Sequence, residues 1–131
     1  MSHKEVLPAG VFKAQSAPFS LATRTEGRAT IHISGQVPVD ANGKNVAIGD
    51  VRGQTEQVVA NIRKIVESEG GTLADVCRLT IFLLARDDLA AVMEVRRKHF
   101  TAPYPAATAV VVSGLANAEW LVEIEAVAVL N

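Results

Sequence analysis

A chain of 131 residues falls within the usual size of one domain, and at that length about two thirds of the surface of the unfolded chain can be buried. Hydrophobic residues make up 49% and charged residues 21%, with a formal net charge of −1, which excludes a disordered chain and implies no electrostatic partner. Thirteen basic residues stand against fourteen acidic ones, with no basic stripe interleaved with aromatics, so nucleic acid is disfavoured as a partner.

Residues 1–13 hold no apolar run long enough for a signal peptide, and no stretch approaches the ~20 apolar residues of a membrane span. A cytoplasmic protein of one domain, residues 1–131, with no membrane partner, is expected. Phe19 to Arg24 and Ala29 to Ser34 flank Glu26-Gly27-Arg28, a pattern that predicts a β-hairpin turning at Gly27. Asp40 to Lys44 is a turn-rich loop. Asp50 can cap a helix whose apolar positions are Val58, Val59, Ile62, Ile65 and Val66 and which ends at Gly70-Gly71. Val76 to Leu84 reads as a central strand with Cys77, Leu79, Ile81 and Leu83 toward a helix layer. Cys77, the only cysteine, is then core filler; it permits no intrachain disulfide, and neither a metal nor a cofactor is expected. Asp87 or Asp88 caps a second helix with the stripe Leu89, Val92, Met93 and Phe100, and Arg96 and Arg97 are assigned to its solvated side. Two β-rich runs close the chain, Ala106 to Val112 and Trp120 to Val129.

The order predicts an α+β layer with two helices on one face of a mixed sheet. Val122, Ile124, Ala126 and Ala128 share one parity of the last strand. Leu121, Glu123, Glu125 and Val127 share the other, to which Arg78, Thr80 and Phe82 of the middle strand could contribute. A face half apolar and half charged, with no helix left to cover it, suggests coverage by other copies of the chain.

Three local matches carry a resemblance to a known family. Ala17-Pro18-Phe19-Ser20 resembles the Pro-Tyr-Ser segment of the Rid family (reactive intermediate deaminases, formerly YjgF). Ile33-Ser34-Gly35-Gln36-Val37-Pro38 is similar to that family's Ser-Gly-Gln-Ile-Pro, and Leu121-Val122-Glu123-Ile124-Glu125-Ala126 to its closing Val-Glu-Ile-Glu-Ala strand. The resemblance implies a chorismate-mutase-like homotrimer with three clefts between subunits, where small enamines or imines bind and water releases ammonia. It also implies an arginine, in the family's Pro-Ala-Arg-Ser segment, that fixes the substrate carboxylate. Here the segment reads Pro105-Ala106-Ala107-Thr108, and alanine offers none of the bidentate pairing that holds a carboxylate best. Phe19 stands for the tyrosine and Leu21 for a frequent glutamine, and Trp120 begins the last strand after a connection one residue longer than usual.

The implied site is therefore Glu123 and Ser34 as catalytic groups, with Phe19, Leu21, Gly35, Ala107, Thr108 and Trp120 lining the ligand. Glu123 could position a water or relay a proton; alternatively it is a structural acid paired with Arg78 or a neighbouring subunit. His32 shares a face with Ser34 but reads more simply as a satisfied, partly buried residue. Arg24 and Arg28 flank the turn and could reach a cleft as substitute cations. Two functions compete: an enamine or imine hydrolase whose substrate is less acidic than the usual dehydroamino acid, and a non-catalytic trimer holding apolar or aromatic small molecules. A ribonuclease reading is weaker, since the basic surface it needs is missing.

Overall fold

The computed structural model describes residues 3–10, 12, 13 and 16–131, so the N-terminal stretch 1–13 is described only in part. The elements follow in the order β1 (His3–Val6), β2 (Ala22–Thr25), β3 (Ala29–Gln36), α1 (Val51–Ser68), β4 (Val76–Leu83), α2 (Leu89–His99), β5 (Ala106–Val111) and β6 (Val122–Leu130). Four strands form a mixed sheet in the order β3-β6-β4-β5, and β1 and β2 form a separate pair. Within the sheet β6 runs antiparallel to both β3 and β4, whereas β5 is parallel to β4 and is reached through α2. A parallel neighbour requires such a crossover, and it puts the helix on a sheet face.

Residues 26–28 connect β2 to β3, but they do not close the expected hairpin. β2 pairs with β1, from His3↔Thr25 to Val6↔Ala22, and β3 pairs with β6. Arg28 N donates to Leu130 O at 2.8 Å, and a Cβ on Gly27 would lie 2.4 Å from that same carbonyl. The chain is thus pressed onto the end of β6 as it turns, and only glycine fits so close an approach.

Both ends of α1 follow from side-chain chemistry. Asp50 accepts from Gly53 N at 3.1 Å, while Gly70 at φ +86° lets Gly71 N return to Val66 O at 3.0 Å. Asp88 takes the N-cap position of α2 without making a capping bond. Val58, Val59, Ile62 and Val66 of α1, with Val92 and Val95 of α2, pack on Leu79, Ile81 and Leu83 of β4 and Val122, Ile124, Ala126 and Ala128 of β6. Both helices therefore cover one sheet face, as expected.

Two assignments on these elements need correction. The ladder shifts between Val76 and Arg78, so Val76, not Cys77, joins Leu79 in the core cluster. Cys77 is buried outside that cluster with Sγ 3.4 Å from Val127 O, and burial pushes its thiol pKa up. Arg96 is not solvated: it is 3% exposed, on the buried stripe of α2 four residues after Val92. Its Nη2 donates to Pro18 O at 3.2 Å, Nε has no partner, and burial together with the neighbouring Arg97 charge lowers the guanidinium to about 10. Arg97, which is exposed as expected, donates to Ser16 O at 3.3 Å, so the two arginines fasten residues 16–18 to α2. No helix among the described residues is long and apolar enough to cross a membrane.

Candidate functional site on the open sheet face

The face away from the helices carries Ser34 of β3, Glu123 and Glu125 of β6, Thr80 and Phe82 of β4, and Thr108 and Val110 of β5. In register, Glu123 lies opposite Phe82 and Phe82 opposite Val110, while Glu125, Thr80 and Thr108 form the next row. All of these side chains are partly or fully exposed in the single chain.

A bulge in β3 shapes the centre of this face. Ile33 pairs with Ala126 and Gln36 with Ile124, so two core-side pairs are separated by the two residues Ser34 and Gly35. Strict alternation would send Ile33 and Gln36 to opposite faces; the extra residue keeps both on the helix side and leaves Ser34-Gly35 opposite Glu125. A Cβ built on Gly35 would lie 2.0 Å from Glu123 Oε2, so the Glu123 carboxylate occupies the space that any other residue's side chain would need. Beside them His32, Ser34, Arg78, Thr80 and Glu125 border a hollow of about 240 Å³.

The charges on this face are not spent on one another. Arg78 Nη2 donates to Thr108 Oγ1 at 2.8 Å instead of pairing with Glu123. Within one chain the expected Arg78–Glu123 pair is therefore not formed, and Glu123 has no ion-pair or hydrogen-bond partner among the described residues. His32 is exposed and likewise unpartnered, in contrast to the satisfied, partly buried residue expected.

The remaining candidate residues lie elsewhere in the single chain. Ser20 N donates to Pro105 O at 3.0 Å and Ser20 pairs in parallel with Ala106, which places Phe19 and Leu21 on either side of a contact at the outer edge of β5. Ala107 is in register with Leu79 and packs against the core, so it faces the helix layer rather than Glu123. Trp120 is tied by Nε1 to Asn45 Oδ1 at 2.8 Å, toward the start of α1. There Gln54, given no site role from the sequence, donates to Glu119 O at 2.9 Å and accepts from Leu121 N at 2.7 Å. Ser34, Gly35, Glu123 and Thr108 thus share a face, and Phe19, Leu21, Ala107 and Trp120 do not join them there.

A second hollow of about 190 Å³ lies at the outer side of β5, bordered by Leu83, Arg86, Leu89, Ala109, Val110 and Val111. Arg86 was not singled out from the sequence. The arginines that were, Arg24 and Arg28, are engaged, one with Glu26 and the other with Asn131 O at 2.7 Å.

Comparison with solved structures defines the class of fold. A Rid family protein of unknown function from Yersinia pestis, YyfB, matches with a TM-score of 0.87 and 32% identity over 99% of this chain and 100% of that one. RidA from an Antarctic Psychrobacter matches at 0.73 with 33% identity over 89% and 92%. Among curated relatives, a RutC family protein of Pyrococcus horikoshii is 40% identical over 98 residues, 75% of this chain and 77% of its own. A 2-iminobutanoate/2-iminopropanoate deaminase of Dermatophagoides farinae is 29% identical over 132 residues, 100% of both chains. Residues 12–130 match the endoribonuclease L-PSP family, and with these Rid relatives the chain belongs to that family, the Rid/YjgF family.

Proposed function

We propose that the protein is a Rid-type hydrolase, assembled as a homotrimer, that deaminates an enamine or imine lacking a carboxylate at its reacting end. The observation carrying this reading is the Glu123 carboxylate, lodged against Gly35 on an uncovered face without any partner among the described residues. In this scheme an enamine first tautomerises to its imine, and Glu123 takes a proton from water as the oxygen adds to the C=N carbon. That proton passes to nitrogen to give the carbinolamine, whose hydroxyl proton is then relayed through Glu123 to the same nitrogen as the C–N bond breaks, so that ammonia leaves with a carbonyl product. Ser34 orients the water or the carbinolamine hydroxyl. Thr108 contributes from the same face, and Phe19, Leu21, Ala107 and Trp120 from a neighbouring copy or from the rim. The substrate is less acidic there than a dehydroamino acid because Ala107 supplies no guanidinium.

The test is hydrolysis of the imine that an amine oxidase generates from an arylalkylamine without a carboxylate, followed by semicarbazide trapping. Glu123→Gln should lower the acceleration about 100-fold or more, the size of a general acid–base contribution. Full activity in that variant would remove Glu123 from the chemistry. Ala107, Phe19 and Leu21, all apolar, favour the competing reading of a binding module for apolar or aromatic molecules, which the wild-type protein would reveal by binding such amines and hydrolysing none of their imines.

A further inference from the structure

Loss of a cation at position 107 leaves open where an anionic part of a ligand would be met. The sequence holds eight arginines, and seven of them donate to an acceptor within the chain: Arg24, Arg28, Arg52, Arg63, Arg78, Arg96 and Arg97. Arg86 alone has no partner among the described residues. Asp87 and Asp88 follow it directly and form no ion pair with it. Its side chain borders the hollow at the outer side of β5, whose other lining residues are all apolar. An exposed, unpaired guanidinium beside apolar walls is free to pair with an anion brought into the same hollow.

The hollow is placed for this. Ala109 lines it and stands two residues beyond Ala107 on the same strand, so the two share a side and are about 6.6 Å apart. We infer that Arg86 is the anion-binding residue of the cleft, displaced along β5 from position 107. Its ligand is an enamine or imine whose carboxylate or comparable anion lies several bonds from the reacting carbon. This rests on the proposed function: Ser34 lies on β3, the sheet edge opposite β5, and Glu123 of β6 is on the open face whereas Ala109, in register with Ile81, is on the helix side, so Arg86 and Ser34-Glu123 come together only across two copies of the chain.

Three carbonyl probes separate the possibilities by calorimetric titration: levulinate, with its carboxylate remote from the ketone; levulinamide, its uncharged counterpart; and 2-oxobutanoate, with the carboxylate adjacent. Wild type should bind levulinate about tenfold more tightly than either of the others, the lower end of what a charged hydrogen bond contributes. Arg86→Gln should bring the levulinate-to-levulinamide ratio to about one, and Arg86→Lys should keep most of it. Arg86 is exposed and unpartnered, so an unchanged thermal midpoint is expected and will show that the variants fold. An equal ratio in wild type and Arg86→Gln, or no preference for levulinate in wild type, overturns the assignment. If Glu123→Gln loses hydrolysis while Arg86→Gln leaves the ratio unchanged, the cleft chemistry stands and only Arg86 falls. If none of the three probes binds, the Arg86 assignment falls.

Discussion

At Gly35 the missing side chain is what admits the Glu123 carboxylate. In Gly35→Ala the new methyl would sit 2.0 Å from Oε2, 2.8 Å from Cδ and 3.0 Å from Cγ of Glu123, all atoms of a flexible acid reaching solvent. The acid can swing away without disturbing the strand, so the thermal midpoint should move little, equivalent to about 1 kcal/mol or less. Turnover should fall about 10- to 100-fold, because displacing a reacting group by an ångström costs that much. Equal rates for Gly35→Ala and wild type would mean that the Glu123–Gly35 approach serves packing alone. Ser34, Gly35 and Glu123 were legible as residues of interest because short segments carried them. The bulge that sets Ser34 and Gly35 on one face was not, since nothing in Ile33-Ser34-Gly35-Gln36 announces an extra residue before its partner strand is known.

Between the helices, a surface cluster joins α1 to α2. Arg63 can only donate, so its contact with His99 Nδ1 at 3.0 Å makes that nitrogen the acceptor and leaves Nε2–H to donate to Glu56 at 2.6 Å. Lys98 adds a bond to the other Glu56 oxygen at 3.1 Å. Burial alone would raise the Glu56 carboxyl, but the hydrogen bonds from His99 and Lys98, with the charge of Lys98, outweigh it and hold the pKa below 4.5. A depressed folded-state pKa means stability that is fully present above the unfolded value and is lost as pH falls through the folded one. The urea midpoint should therefore drop on acidification below about pH 4.5, and Glu56→Gln should flatten that drop. Identical pH profiles for the variant and the wild type would show that the cluster contributes nothing. At this scale the helices were the most legible elements, with caps and stripes written locally. The β2–β3 pairing was misread because a turn residue fixes where the chain reverses, whereas β1 and β6 compete for the strands on either side. Arg96 was misread by its charge, although its spacing from Val92 marks the buried stripe.

For the whole molecule, the open face combines exposed charge with Phe82, Val110 and Val127, a mixture that one chain leaves facing water. Sedimentation at micromolar concentration should give the mass of about three chains of 13.9 kDa, and a persistent monomer would remove the intersubunit cleft on which the proposed function depends. β5 adds a second consideration. Past Ala106, where Ser20 pairs with it, its outer edge has no neighbouring strand among the described residues, and Val110 and Val111 are 40% and 53% exposed. An apolar, unpaired strand edge is a template for any extended segment that meets it. A newly made or highly diluted subunit thus carries its own route to misassembly.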